Sequence, residues 1–120
     1  MNKKTIVIGA SANPERYAYK ATMALQKHGH EVIPIGIKEG AINGQEILLG
    51  KPDIKNVDTV TLYVGPKNQG GWYDYIIGLK PKRVVFNPGA ENPEFEQLLR
   101  DNNIEALEAC TLVMLSIGNY

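Results

Sequence analysis

The fold is decided by one stretch near the start of the chain, Ile6-Val7-Ile8-Gly9-Ala10-Ser11-Ala12-Asn13-Pro14-Glu15-Arg16. An apolar, β-branched run stops at Gly9, a polar turn follows, and a helical pattern begins at Tyr17. This order is typical of a nucleotide-binding βα unit, because the start of the helix offers free N–H groups and a positive dipole end to a phosphate. The loop between strand and helix is therefore the centre of the candidate site.

The composition limits the class of protein. A chain of 120 residues predicts one domain, 1–120. Its 13 basic residues balance 13 acidic ones, which argues against a general nucleic-acid binder. The single cysteine excludes an internal disulfide framework and fits a reducing compartment. No apolar run approaches the ~20 residues of a membrane span, and the stretch before Gly9 is too short for a signal-peptide core. We expect a soluble, cytoplasmic protein that binds neither nucleic acid nor membrane.

Apolar strand patterns alternate with helical ones along the chain. Helical patterns begin at Tyr17, Asn68 and Asn92, and an apolar tail over 110–117 adds a helical turn. The stretch 38–55 is loop-like, with a short edge piece near 45–48. The alternation predicts a three-layer, Rossmann-like α/β fold, a doubly wound parallel sheet of five strands in the order 3-2-1-4-5. The five predicted strands, in chain order, are 5–8, 31–36, 57–64, 83–86 and 104–107.

The first loop carries residues suited to a phosphate. Gly9 allows a tight exit from the strand, and Ala10 keeps the side chain small so that the backbone can approach a ligand. Ser11 and Asn13 supply hydrogen-bonding groups, and Arg16 supplies a guanidinium fork for a phosphate. The predicted switch point lies between the first and fourth strands, where the loops 64–67 and 87–90 join the first one.

The features of an NAD site are incomplete. The fingerprint G-x-G-x-x-G is absent, because Ser11 and Pro14 stand where its second and third glycines would be. No acidic residue occurs at 35–38, where an NAD-binding protein would hold the ribose. Lys38, in the loop after the second strand, suits a phosphate better than a free ribose diol.

No pattern predicts catalysis or a metal site. His28 and His30 are two residues apart and do not share a helical face. Cys110 has no histidine near it in sequence, and no His or Cys cluster has the spacing of metal ligands. The phosphate-binding pattern G-x-x-x-x-G-K-[ST] is also absent. We therefore expect a binding site with no catalytic residue and no metal.

Together these motifs resemble the small stand-alone CoA-binding domain proteins, which are similar to the N-terminal domain of the succinyl-CoA synthetase α subunit. The resemblance runs from residue 6 to about residue 110. The matching segments, in chain order, are Gly9-Ala10-Ser11-Ala12-Asn13-Pro14-Glu15-Arg16, Leu25-Gln26-Lys27-His28-Gly29, Val32-Ile33-Pro34, Asp58-Thr59-Val60 and Gly89-Ala90-Glu91-Asn92-Pro93-Glu94. Ile35-Gly36-Ile37-Lys38 keeps only the lysine of the family's Val-Asn-Pro-Lys, and Tyr63-Val64-Gly65-Pro66 looks more like the synthetase's Tyr-Val-Pro loop.

The resemblance implies coenzyme A or an acyl-CoA as ligand, and no ligase activity, because the synthetase's phosphohistidine-bearing domain has no counterpart here. It implies that the first loop and helix start take the pyrophosphate, and that Arg16 and Lys38 pair with phosphates. Val64–Pro66 would pack on the adenine side, and residues 87–90 would lie along the pantetheine arm. The predicted cofactor-binding residues are Gly9, Ala10, Ser11, Asn13, Arg16, Lys38, Val64, Gly65, Pro66, Asn87, Pro88 and Gly89.

Three functions stay open at this point. The first is a non-catalytic module that senses coenzyme A or delivers it, as a homodimer or with a partner enzyme. The second is a redox enzyme or sensor that binds NAD(P) in the same crevice, where Lys38 would favour NADP. The third is a degenerate interaction module that binds no nucleotide, to which the substitutions at 36, 37 and 87 point.

Overall fold

The computed structural model describes residues 2–120 and contains the predicted alternation of strands and helices. The strands are β1 (Thr5–Ala10), β2 (Val32–Gly36), β3 (Ala41–Ile42), β4 (Gln45–Glu46), β5 (Leu48–Leu49), β6 (Thr59–Leu62), β7 (Arg83–Phe86) and β8 (Glu105–Glu108). The helices are α1 (Tyr17–Lys27), α2 (Tyr73–Leu79), α3 (Pro93–Asp101) and α4 (Thr111–Ile117), and two short 3₁₀ turns, Pro66–Asn68 and Gly70–Trp72, precede α2.

Six strands form one sheet in the order β5-β2-β1-β6-β7-β8, and every neighbouring pair is parallel. The doubly wound, Rossmann-like class is thereby confirmed. The strand count of five was wrong, and so was the position of the third predicted strand. That strand, seen as β6, pairs with β1, and the edge beyond β2 is held by the two residues of β5. A two-residue strand is too short to produce a recognisable periodic pattern. The switch point therefore lies between β1 and β6.

The helices cover both faces of the sheet. Helices α1 and α4 pack on one face, with Leu25 and Met114 in the core there. Helices α2 and α3 pack on the other, with Ile76 and Phe95 in its core. Successive side chains of β1 alternate between these two cores, so the strand is buried on both sides. This explains why its sequence is continuously apolar and not alternating.

Local signals set the helix ends. Asn92 caps α3 by accepting a hydrogen bond from the Phe95 backbone N–H at 3.1 Å, with Pro93 in the first turn, as predicted. Gly29, at a φ of 83°, follows the end of α1, also as predicted. The start of α2 was predicted at Asn68, but the helix begins at Tyr73. The glycines at 70 and 71 disfavour helix, and the chain there forms the 3₁₀ turns instead.

Candidate functional site

A cleft of about 1220 Å³ opens at the carboxyl ends of β2, β1, β6 and β7. Four neighbouring strands about 4.8 Å apart span roughly 14 Å, so the cleft is elongated. Its volume exceeds the roughly 300–1,000 Å³ of a pocket for a drug-sized ligand. It also lies at the switch point, where doubly wound sheets bind their ligands. Position and size together suit an extended ligand of nucleotide type.

The first loop forms the floor of this cleft, and Gly9 shapes it. Gly9 has a φ of 94°, and a Cβ placed there would lie 2.9 Å from the Tyr63 carbonyl oxygen and 3.1 Å from Val64 Cγ2. The pairing of β1 with β2 also shifts register between Ile8 and Ala10. The chain leaving β1 thus passes closely against the end of β6, and only glycine fits there without strain.

Gly36 performs a similar role at the end of β2 and was not among the predicted site residues. A Cβ there would collide with the Ala10 carbonyl oxygen and come within 3.0 Å of Ile47 Cγ2. The end of β2 therefore passes closely against the end of β1, where the first loop begins.

Hydrogen bonds within the first loop hold its shape. Ser11 Oγ accepts from the Asn13 backbone N–H at 3.1 Å, and Asn13 Oδ1 accepts from the Glu15 N–H at 3.0 Å. The Arg16 N–H donates to the Asn13 carbonyl at 3.0 Å. These turns use the side-chain acceptors of Ser11 and Asn13. Their hydroxyl and amide donors point to no partner among residues 2–120, so they are available to a ligand.

The start of α1 is electrostatically open toward the cleft. Arg16 is the N-cap residue, no side chain caps the helix, and its first turn contains no acidic residue. The first N–H groups and the positive dipole end therefore meet the cleft beside Arg16, Tyr17 and Ala18. Two cations, Arg16 and Lys38, line the cleft together with two acids, Glu15 and Glu39. The side-chain charges thus balance, and the helix dipole favours an anion.

The structure brings ten of the twelve predicted residues into the cleft lining. Two do not belong to it. Asn87 is 1% exposed, donates from Nδ2 to Thr61 Oγ1 (2.6 Å) and the Leu62 carbonyl (2.9 Å), and accepts at Oδ1 from the Thr111 N–H (2.9 Å). Its side chain ties β6 to the start of α4, so its amide groups are already bonded within the protein. Pro66 opens the first 3₁₀ turn, is exposed and lies outside the lining, next to Gly65.

Sequence reasoning missed several lining residues because nothing in their local pattern marks them. Ile37 and Tyr17 are apolar or aromatic, yet 90% and 68% exposed at the cleft. Large apolar side chains exposed beside a cleft mark a binding surface, but their exposure is visible only in the folded structure. The lining residues outside the twelve named as cofactor-binding are Ala12, Glu15, Tyr17, Ala18, Ile35, Gly36, Ile37, Glu39, Tyr63, Asn68, Trp72 and Ala90.

Tyr63 supplies a neutral wall to the cleft. Burial raises the pKa of its phenol, the nearby Cys110 raises it further, and the Thr111 and Thr61 hydroxyls act in the opposite direction. The net shift is upward, so the phenol stays protonated at neutral pH. Tyr63 can therefore offer apolar surface to the cleft, but no negative charge, and its hydroxyl oxygen is buried.

The titratable residues considered for catalysis lie elsewhere. His28 Nδ1 is 2.8 Å from the Ala24 carbonyl oxygen, and His30 Nδ1 accepts from the Lys3 N–H at 2.9 Å, both at the opposite edge of the sheet. Cys110 precedes α4 and is not part of the lining. Across residues 2–120, no three His, Cys, Asp or Glu side chains are grouped so that they could hold a metal ion. In the same part of the chain, no helix has both the length and the apolar character to cross a membrane.

A second, smaller groove of about 590 Å³ runs along the outer side of α1. It lies away from the strand ends and shares no residue with the cleft. Its lining consists of Pro14, Tyr19, Lys20, Met23, Ala24, Gln26, Lys27 and Asn43.

A doubly wound parallel sheet, with a cleft at its switch point that is lined by an uncapped helix start and two cations, defines a Rossmann-like α/β domain. Within that class, residues 3–116 match the family described as CoA binding domain, and the chain belongs to this family. No curated protein matches the chain.

Solved structures of similar proteins support the fold over the full length. An uncharacterized protein of known crystal structure is 52% identical, with a TM-score of 0.98 over 100% of this chain and 99% of its own. A hypothetical protein from Pyrococcus horikoshii OT3 is 26% identical, with a TM-score of 0.87 over 96% of this chain and 82% of its own. A conserved hypothetical protein from Pyrococcus furiosus is 26% identical, with a TM-score of 0.80 over 92% and 97%.

Proposed function

We propose that this protein binds coenzyme A or an acyl-CoA in the switch-point cleft and acts as a binding or sensing module without chemistry of its own. One observation carries the proposal. In a chain of the CoA-binding family, the uncapped start of α1 and the cations Arg16 and Lys38 line the same elongated cleft. A ligand with several phosphates and a long neutral arm matches that combination.

The phosphate end of the ligand occupies the first loop in this proposal. The pyrophosphate accepts hydrogen bonds from the start of α1 and from the free donors of Ser11 and Asn13. Arg16 pairs with the pyrophosphate through its guanidinium fork, and Lys38 pairs with a ribose phosphate from the loop after β2. Both side chains are exposed and make no ion pair with any residue from 2 to 120, so binding breaks no existing pair.

The neutral parts of the ligand lie along the loops after β6 and β7. Val64 and Gly65 pack on the adenine side, and Pro88 and Gly89 flank the pantetheine arm. These residues, with Tyr63, offer no charge at neutral pH. An uncharged wall suits the amide-containing arm of coenzyme A, since it leaves no side-chain ion buried without a partner.

The absence of chemistry rests on where the reactive groups lie. Neither histidine is in the cleft lining, nor is Cys110, and the Tyr63 phenol is held in its protonated form. Glu15 and Glu39 line the cleft, but both side chains are exposed. This arrangement supports binding and recognition.

Titration calorimetry tests the proposal. Wild-type protein is titrated with coenzyme A and acetyl-CoA, alongside Arg16→Ala and Lys38→Ala. Lys82→Ala serves as the control, since Lys82 is an exposed cation facing Asp58 at 3.7 Å, at the opposite edge of the sheet. We expect saturable binding to wild type and Lys82→Ala, and weaker binding to the two cleft variants. No heat with either ligand at millimolar concentration would overturn the proposal.

One observation favours a second candidate, an NADP-binding protein. Lys38 lines the cleft just beyond β2, where a cation can pair with the 2′-phosphate of NADP. NADPH is therefore included in the same titration. Tighter binding of NADPH than of coenzyme A would replace the first proposal with this one.

A further inference from the structure

Gln69 is an amide side chain that sits fully buried between the two 3₁₀ turns, with 0% of its surface exposed. Its Nε2 donates to the Val64 carbonyl at 2.8 Å and to the Ala90 carbonyl at 2.7 Å. Its Oε1 accepts from Asn92 Nδ2 at 2.9 Å. Every polar atom of the side chain therefore has a partner, which a buried amide requires.

The two carbonyls belong to the loops that form one half of the cleft. Val64 follows β6 and Ala90 follows β7, and both residues line the cleft. The parallel pairing of β6 with β7 ends at Leu62 and Phe86. The backbone hydrogen bonds between the two strands therefore do not set the distance between the loops that follow them. The Gln69 amide spans this gap. Gln69 itself lies outside the cleft lining.

The same amide is joined to the start of the next helix. Asn92, which donates to Gln69 Oε1 from its Nδ2, caps α3 by accepting from the Phe95 N–H at its Oδ1. Its Nδ2 also donates to the Tyr73 hydroxyl at 2.9 Å, and its backbone N–H donates to Glu96 Oε2 at 3.0 Å. Through Asn92, the Gln69 side chain is thus held in place by the starts of α2 and α3. A network with all its members bonded holds one geometry, because breaking any bond leaves buried polar atoms unpaired.

We propose that Gln69 is a positioning residue of the cleft, which sets the spacing of the Val64 and Ala90 loops and thereby the affinity for the ligand without touching it. This rests on the proposed function for the identity of the ligand, coenzyme A. Without the amide, the two loops separate into several arrangements, and only one of them fits the ligand. The measured Kd then rises by the inverse of the fraction of molecules in that arrangement.

Two variants remove the bridge in different ways. Gln69→Glu keeps the shape and the acceptor for Asn92, but it places a carboxylate oxygen against the two carbonyl oxygens. Gln69→Met keeps the length and removes all of the hydrogen bonds. Thr5→Val is the matched control, since it removes a buried hydroxyl that donates to the Lys3 carbonyl (2.9 Å) and bonds Tyr120 Oη (2.7 Å), at the amino end of β1. Urea midpoints establish that each variant is folded and by how much it is destabilised.

Coenzyme A is the probe, measured by calorimetry against these proteins. We expect Kd to rise about tenfold in each folded Gln69 variant, as it does when about one molecule in ten is competent to bind. In Thr5→Val, Kd should stay within about twofold, as for a distant independent site, although its urea midpoint also falls. A Kd within about twofold of wild type in a folded Gln69 variant would overturn the proposal.

Hydrogen exchange of the ligand-free proteins separates this inference from the proposed function. Backbone amides of 64–69 and 89–91 should exchange faster in Gln69→Met than in wild type or Thr5→Val. If wild type does not bind coenzyme A but this exchange is faster, the proposed function fails and the positioning role stands. If exchange of both segments is unchanged in the variant, the positioning role fails, whatever the protein binds.

Discussion

Replacing Gly9 by alanine tests how the first loop is built. The glycine has a φ of 94°, a conformation that L side chains rarely adopt, and the new Cβ would lie 2.9 Å from the Tyr63 carbonyl oxygen. The backbone conformation costs about 1–2 kcal/mol, and the crowding against β6 costs a further 1–3 kcal/mol or so. Together they lower the free energy of unfolding by about 2–5 kcal/mol.

Gly29→Ala separates the two contributions. Gly29 has a φ of 83°, but a Cβ there would meet nothing within 4 Å. Its cost should be the backbone part alone, about 1–2 kcal/mol. The difference between the two variants therefore measures the close approach of the first loop to β6.

Urea denaturation, followed by the fluorescence of the one tryptophan, provides the measurement. With a denaturant slope of about 1–3 kcal/mol per molar, an extra 2 kcal/mol lowers the midpoint by roughly 1 M. We expect Gly9→Ala to unfold at a clearly lower urea concentration than Gly29→Ala, and to bind coenzyme A more weakly if it binds at all. Equal midpoints for the two variants would refute the argument that Gly9 is required by contact with β6.

Three more predictions concern the charges, a cap and the phenols. Arg16→Ala and Lys38→Ala should each weaken coenzyme A binding by about 1–2 kcal/mol, or five- to thirtyfold; an affinity that does not fall as salt is added to wild type would speak against phosphate pairing. Asn92→Ala should lower the free energy of unfolding by about 2–4 kcal/mol, because it removes the cap of α3 and leaves Gln69 and Tyr73 short of a partner. The exposed Asn102→Ala is its control, and equal melting temperatures would contradict the network. Burial raises the pKa of Tyr63 and Tyr120 above 10.0, so the folded state retains protons that the unfolded chain releases. Stability from these phenols should therefore be constant below pH 10.0 and fall as the pH rises beyond it. Urea midpoints measured below and above that pH check this. If Tyr63→Phe loses as much stability as wild type when the pH rises, the buried Tyr63 phenol does not cause the loss.

Much of the fold could be predicted because burial leaves a direct trace in the sequence. The continuous apolar run of β1 reflects its two covered faces, and the cap at Asn92 and the stop at Gly29 follow local rules. The two-residue strand β5 leaves no such trace, since its place is set by pairing with β2. Because β5 was not recognised, the third predicted strand was assigned to the edge beyond β2, although it pairs with β1 as β6.

The site could be predicted where one loop acts alone and not where several loops meet. The loop from Gly9 to Arg16 carries its glycine, donors and cation within one stretch, and the structure has them in the cleft lining. Asn87 looked like a ligand residue because it is polar and ends a strand, but its amide is used by Thr61 and Thr111. Gln69 gave no signal, because its partners lie in other segments of the chain.

Mapping bound coenzyme A by amide chemical shifts tests the central claim most directly. Spectra of the protein with and without saturating coenzyme A report which backbone amides meet the ligand. The account predicts shifts confined to 9–17, 37–39, 64–65 and 89–90, on the four loops of the cleft. Shifts centred on the groove along α1, around Tyr19 and Met23, or none at millimolar ligand, would contradict it.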